Sequence, residues 1–447
     1  MKSIWSPDFP FNPSKFPFFY GWWIALVGTI GAVATMPGQT GGVSVFTDII
    51  IKELELTRLQ VSSAYLVGTA ASGFLLPWGG ILFDQFGARR SAAFSTLGLG
   101  IAAIFFSQID RVAYGIRHLA KSEEGWLIEF SVICCCFFLL RYFGQGMLSL
   151  SSRNMIALWF DRFRGMILSI SGVIGVIAFA LGPKILNYGI QNIGWRGTWI
   201  TVGIILFLFS VFIVWIFYRN SPEECGLVMD GSLNAHIKDR PTNPDRIFVK
   251  EFNKHEALST YSFWIFTLSL SWGSLYGTGY IFHIVSIGDE LGLPRGEILD
   301  FLIQSSLIAV ITMLITGWIS NYIRLKYILL FVSIASVFWP LGVLLMPTIL
   351  GRVLIVSGLG MLFGGSAILS TLVWPRFFGR LHLGAISGVA IKWSVLGSAL
   401  GPLCFAISRS VGGNYRLISA VSIGVGLILV VGTLFADNPQ RKLSISR

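Results

Sequence analysis

The sequence predicts an all-α polytopic membrane protein, with twelve transmembrane helices forming two six-helix bundles related by a pseudo-two-fold axis. Three observations carry that expectation. First, the 447-residue chain is 54% hydrophobic and only 12% charged, with a mean hydropathy of +0.73. A soluble domain carries about 25% charged residues. Second, the apolar residues fall into twelve runs of about twenty, the length that spans a bilayer as a helix. Third, short matches recur between the halves at an offset near half the chain length. The composition excludes an ordinary soluble enzyme, a disordered protein and a nucleic-acid binder, despite a net charge of +11.

The runs lie at 20–46, 59–83, 91–109, 127–151, 164–183, 197–217, 260–286, 297–320, 326–346, 349–373, 383–408 and 416–436. A membrane β-barrel would show alternating segments of about ten residues, whereas 197–217 is apolar on every face. Residues 1–19 form an aromatic, Pro-rich leader, too long for a signal peptide and without a small-residue cleavage site. Residues 20–218 hold the first bundle and 260–437 the second, followed by a tail at 438–447. Between the bundles, 219–259 is the one long polar stretch. It carries Lys238, Arg240, Arg246, Lys250 and Lys254 with Pro222, Pro241 and Pro244, and reads as a cytoplasmic linker.

With both termini in the cytoplasm, the tails, linker and inner loops hold 20 Lys and Arg residues against 11 in the outer loops. That bias favours this orientation in an inner or plasma membrane. The positive charge then follows from topology and calls for no acidic partner. Five cysteines make no disulfide scaffold, and Cys134, Cys135 and Cys136 sit together in an apolar run as reduced core residues.

The halves echo each other. Gly80 and Asp84 follow the second run with Arg89 and Arg90 behind, and Gly317 and Asn321 follow the eighth with Arg324 and Lys326 behind, at an offset of 237. Leu181-Gly182-Pro183 ends the fifth run, and Leu400-Gly401-Pro402 lies in the eleventh, at an offset of 219. Parallel repeats of six helices place a substrate near the midplane, between the halves.

These residues resemble the major facilitator superfamily. Gly80-xxx-Asp84-xx-Gly87-x-Arg89-Arg90 is similar to its loop 2–3 signature, although Gln85 and Ala88 stand where a basic residue is usual. Arg141-xx-Gly144-Gln145-Gly146 and Gly172…Gly182-Pro183 resemble its fourth- and fifth-helix patterns. The resemblance implies a transporter that works by alternating access. Tyr20-Gly21-Trp22-Trp23, Trp159-Phe160-xxx-Arg164-Gly165 and Ser221-Pro222-Glu223-Glu224-Cys225-Gly226 resemble the monocarboxylate and oxalate/formate porter branch. Monocarboxylate porters pair Asp-xxx-Arg in helix eight, and here that spacing holds Asp300 and Gln304.

Two cations lie within the runs. Arg141 is about 14 residues into the fourth and Lys392 about nine into the eleventh. Charge at that depth costs roughly 2.5–3.5 kcal/mol on insertion scales and normally faces a wet cavity with a partner. One reading has Arg141 and Lys392 binding a carboxylate between the halves, the first with a planar fork and the second as a point charge. The alternatives are a helix-packing Arg141 and a Lys392 that snorkels to the cytoplasmic face. Gln39, Tyr276, Thr278 and Gln304 are expected to supply polar contacts, with Trp272 and Trp393 as walls. His283 and Asp300, toward the outer ends of their runs, are either a proton relay or a hydrated rim. Asp84, Arg89 and Arg90 are expected to latch one conformation, against the alternative of a solvated turn.

No Asp or Glu lies near the middle of any run, which leans toward anion exchange or uniport rather than proton symport. No phosphate-binding Gly-rich loop or His/Cys metal spacing is present, so no cofactor or metal is expected. The expected partners are a small anionic substrate and the lipid bilayer, with the protein working as a monomer. The competing functions are an exporter of amphipathic or cationic compounds and a non-transporting sensor or scaffold; a membrane-embedded enzyme lacks a nucleophile or metal constellation.

Overall fold

A computed structural model describes residues 5–120, 126–160, 164–231, 249–320, 322–379 and 383–441. Ten stretches among them are long and apolar enough to cross a membrane. One of these, Met166–Phe217, holds two helices, and Tyr261–Phe282 is a further helix of 22 residues whose Ser, Gly, Tyr and Trp content dilutes its hydropathy. Twelve membrane helices result. α1 is Gly21–Val33, α2 and α3 are the parts of Arg58–Ser107 before and after Gly87, and α4 is Trp126–Trp159. α5 and α6 are the parts of Met166–Phe217 before and after Gly194. α7 is Tyr261–Phe282, α8 Arg295–Ile319, α9 Leu325–Leu344, α10 Ile349–Phe378, α11 Leu383–Gly412 and α12 Arg416–Leu434.

Local chemistry sets the ends. Thr57 and Gln60 form a capping box at the start of α2, and the hydroxyls of Thr260 and Thr348 cap α7 and α10. Gly87 breaks α2 from α3 at φ 75°, and a Cβ there would run into the Asn220 side chain, so no other residue fits without strain. The expectation that Pro183 ends the fifth helix is corrected. Pro183 lies inside α5, which runs on to Gly194 at φ 74°. Proline removes one backbone donor without forcing a stop when neighbouring helices hold the segment.

The chain divides into two compact units, Met1–His236 and Ile237–Arg447, with six membrane helices in each. Each unit pairs its helices in the same pattern. The first meets the fifth, the second meets the fourth, and the third meets the fourth and sixth. In the first unit Gly182 packs on Met36, Gly68 on the Cys134 carbonyl, Gly98 on Phe143 and Gly100 on the Gly203 carbonyl. In the second, Gly401 packs on the Leu275 carbonyl, Gly360 on the Ser305 carbonyl, Gly358 on Trp339 and Gly426 on Val337. Small residues at these crossings let backbones approach, which is how helices gain van der Waals contact in lipid. Cys134, Cys135 and Cys136 fan around α4 as half-buried, exposed and buried free thiols, so the expectation of three core residues holds for Cys136 alone.

Sequence periodicity missed a helix at Ile109–Ala120, between α3 and α4. Ile109 and Ala113 are buried while Tyr114 and Leu119 are exposed, as on an interfacial amphipathic helix. Near its start Arg196 donates to both oxygens of Asp110 and, at 3.0 Å, to Glu53. The hydrogen bond from Arg196 holds the Asp110 carboxyl below its ordinary value. Its folded pKa being depressed, Asp110 contributes stability at neutral pH that is lost as pH falls below about 4 through the folded value. Asp110→Asn should therefore cost under about 1 kcal/mol at pH 7 and nothing in strong acid, read as the gap in unfolding midpoint from wild type at each pH.

The base of each unit is closed by an extended segment. Two buried arginines hold the leader. Arg89 donates to the carbonyls of Ser6 (3.1 Å), Phe9 (2.9 Å) and Trp215 (2.8 Å), and Arg219 to those of Pro7 (2.7 Å), Phe9 (3.1 Å), Phe11 (3.3 Å), Ile216 and Tyr218. Burial lowers the Arg219 pKa from its ordinary value and lifts the neighbouring Cys225 thiol to about 11. In the second unit Gln440, fully buried, accepts from the backbone N–H groups of Val249 and Lys250 and donates to the carbonyls of Lys250 and Phe377. Of the linker cations, Lys238, Arg240 and Arg246 lie outside the described residues.

Candidate functional site

In the first unit the chemistry gathers where the first membrane helix breaks. α1 ends at Val33, a 3₁₀ turn covers Met36–Gly38, and helix resumes at Thr40–Ser44. Pro37 brings no N–H, and the break frees carbonyls. A Cβ on Gly38 would overlap the Leu140 carbonyl and come within 2.8 Å of the Gly144 Cα, so glycine is needed at this crossing. Opposite it, α4 winds as a π-helix over Arg141–Leu148, a distortion often found at functional sites.

Arg141 bridges these elements. Its guanidinium donates to the Gly38 carbonyl (3.4 Å), to the Thr40 hydroxyl (3.0 Å) and to the Gln145 amide oxygen, and stacks 4.7 Å from the Tyr65 ring centroid. Only its Nε lacks a partner, and the residue is 3% exposed. Of the two readings of Arg141, substrate contact and helix packing, these bonds to the first helix and within α4 fit the packing one. A lone cation at this depth needs acceptors, and the broken α1 supplies them. Beside it Gln39 is half-buried, donating to the Thr35 hydroxyl at 3.1 Å.

In the second unit α7 packs along α11 through Gly397 and Gly401. The Tyr276 hydroxyl bonds Ser419 at 3.0 Å and its ring is 3% exposed, and Thr278 donates to Ser398 at 3.0 Å. Trp272 donates to Ser422 at 3.0 Å. These three hydroxyl and indole groups join helices of one unit; Tyr276 is buried in that seam, while Trp272 and Thr278 are half-buried. His283 is neither a hydrated rim nor exposed. It caps α7 at 1% exposure, with Nε2 2.9 Å from the Pro402 carbonyl and its ring stacked on Phe405. Lys392 differs from all of these. It is exposed on α11, about 140–180° around the helix from Gly397 and Gly401 by their spacing. No hydrogen-bond or ion-pair partner for it occurs among the described residues.

Asp300 and Gln304 come together in a cleft of about 350 Å³ between α8 and α10, whose walls include Glu297, Arg352 and Ser357. Arg352 pairs with Glu297 at 2.5 Å, both side chains partly exposed. Sequence reasoning looked for a cation four residues from Asp300 on the same helix. The structure brings one from α10, and no local spacing announces a contact between helices.

The turn around Gly87 is exposed at Gln85, Phe86 and Arg90 but not at Arg89. Arg89 is 3% exposed, with its donors on the leader and α6. Arg90 is exposed and lies 5.6 Å from the Trp5 ring centroid. The Asp84 side chain lies outside the described residues.

The Major Facilitator Superfamily family description matches residues 28–402, most of the chain. The chain belongs to that superfamily. Two solved superfamily-type folds are similar to it. A D-xylose-proton symporter is 14% identical, with a TM-score of 0.66 over 93% of this chain and 97% of that one. A bacterial homolog of the human lysosomal transporter Spinster, inward-facing and unoccupied, is 14% identical, with a TM-score of 0.59 over 93% of this chain and 95% of that one. No curated protein matches the chain. As a superfamily member it is a multi-pass secondary transporter for a small molecule, and not an enzyme. At 14% identity the two solved structures speak to the fold alone.

Proposed function

We propose that this superfamily member carries a small organic anion, a mono- or dicarboxylate, by alternating access, as a monomer with both termini in the cytoplasm. Lys392 carries the reading. It lies about 14 Å along α11 from Leu383 by helical rise, and an ammonium without a partner at that depth calls for water or an anion. The likeness of the α1 opening and of the segment after α6 to the monocarboxylate and oxalate/formate branch supports the same class. Gln304, which is exposed, and Gln39, which is half-buried, are the polar contacts that remain available. The mid-span absence of Asp and Glu among the described residues supports exchange or uniport over proton symport.

Counterflow in proteoliposomes with a panel of carboxylates, sugars and cations tests this. Trans-acceleration by a carboxylate that falls at least tenfold in Lys392→Gln is the expected result. Counterflow by no anion, or full activity in Lys392→Gln, removes the anion reading. The rival is an exporter of amphipathic cations. It draws support from Arg141, which brings no charge to a cavity, and from the two carboxylates of the α8–α10 cleft. It expects cation counterflow that survives Lys392→Gln.

A further inference from the structure

We propose that the helix Ile109–Ala120 is a phospholipid seat, with one apolar row in the acyl chains and one row of donors on the headgroup phosphates. Its depth follows from the helix before it. α3 spans 88–107, which rises about 30 Å, the thickness of the hydrocarbon layer. Gln108 caps α3 and the next helix begins at Ile109, so it starts at headgroup level. Two ion pairs tie it to the first unit. Asp110 takes Arg196 at the start of α6, and Arg117 takes Glu129 in the first turn of α4. The leaflet concerned is the outer one in the orientation proposed above, and the contact does not depend on the cargo.

The helix presents three faces. Ile109 and Ala113, four apart, are 0% and 1% exposed and pack on the bundle. Ile116 and Leu119, three apart, are 42% and 84% exposed, so little of the protein covers them. Arg111, Tyr114 and His118, at spacings of three and four, share a third face and are all exposed. Successive residues turn by about 100°, which sets this face roughly 80–140° around from Leu119. An amphipathic helix lying in the plane of a bilayer has this layout, its apolar side down and its polar groups among the headgroups. Tyrosine is at home at that level. The hydrogen-bond partner of Arg111 among the described residues is the neutral Gln108 amide oxygen, at 2.9 Å. That bond leaves the positive charge uncancelled, and a phosphate anion complements it. Lipid is the occupant because the apolar row emerges where α3 leaves the hydrocarbon, beside acyl chains already in place.

Amide hydrogen exchange over 109–120, in the full-length protein, tests the seat. Phosphatidylglycerol nanodiscs are compared with dodecyl maltoside micelles, which offer apolar chains but no phosphate. Wild type should exchange at least about tenfold more slowly in the discs. Arg111→Glu, which turns the donor row against phosphate, should remove most of that gain and leave the micelle rate and the unfolding midpoint unchanged. Ile116→Ser combined with Leu119→Ser should speed exchange in both settings, because the acyl-facing row is gone. Inorganic phosphate added to the micelles should change nothing. Equal wild-type rates in discs and micelles would mean that the protein alone holds the helix, and would overturn the seat. A disc gain that survives Arg111→Glu overturns it as well. Slowing by inorganic phosphate in micelles would make the row a free-anion site instead. Protection confined to discs holding two copies would assign the apolar row to a second chain, and either result replaces the phospholipid.

Discussion

Arg141→Met is expected to lower unfolding stability by about 3–5 kcal/mol while leaving the half-saturating cargo concentration of the folded fraction within about twofold. The cost follows from what the guanidinium leaves behind. The Gly38 carbonyl, the Thr40 hydroxyl and the Gln145 amide lose their donor in a site that is 3% exposed, and breaking one side of a buried charged network costs this much. Arg141→Lys should fall between, since a point charge reaches only part of the set. The measurement is the thermal midpoint in detergent beside the counterflow KM. A variant that unfolds like wild type but has lost cargo affinity would put the guanidinium in front of the cargo and return it to the binding site.

The joint replacement of Arg89 and Arg219 by Ala should cost about 3–5 kcal/mol, and the two single changes should not add up to the double. Both arginines donate to the Phe9 carbonyl, and residues that share an acceptor couple. Each is almost fully buried and donates to several backbone carbonyls, which offset much of the cost of desolvation. Limited chymotrypsin digestion reads the local effect. Cleavage after Phe11, the cleavable aromatic site among the tethered residues, should become fast in the double variant. A leader still protected there would show that the aromatic cluster of Phe11, Phe16 and Tyr20 holds it without the arginines.

The twelve helices were legible because bilayer thickness writes itself into the sequence as run length. Predicted 349–373 became Ile349–Phe378 and predicted 416–436 became Arg416–Leu434. The errors came where a residue's meaning depends on its neighbours. Pro183 read as a stop and is an interior residue, since α5 is supported from outside. The amphipathic helix at Ile109–Ala120 read as loop because it is too polar to span. Site residues were harder still. Arg141 and Lys392 look alike as lone cations in apolar runs, yet a broken helix satisfies the first and the second has no described partner. Tyr276 and Thr278 bear hydroxyls that serve a cavity or a seam equally well until their partners, Ser419 and Ser398, are known. Arg352 was passed over because pairing between helices leaves no trace in spacing along either one.

The way each terminal segment is tied down makes it a handle for spectroscopy. A probe attached near Trp5 is bonded through the leader to Arg89 of α3 and to Arg219 just after α6, and one near Arg441 is bonded through Gln440 to α10 and the extended segment at Lys250. Dyes at those two points report on whole bundles rather than on loose tails. A distance distribution between them, recorded with and without cargo, would follow the working cycle without a single label inside the membrane.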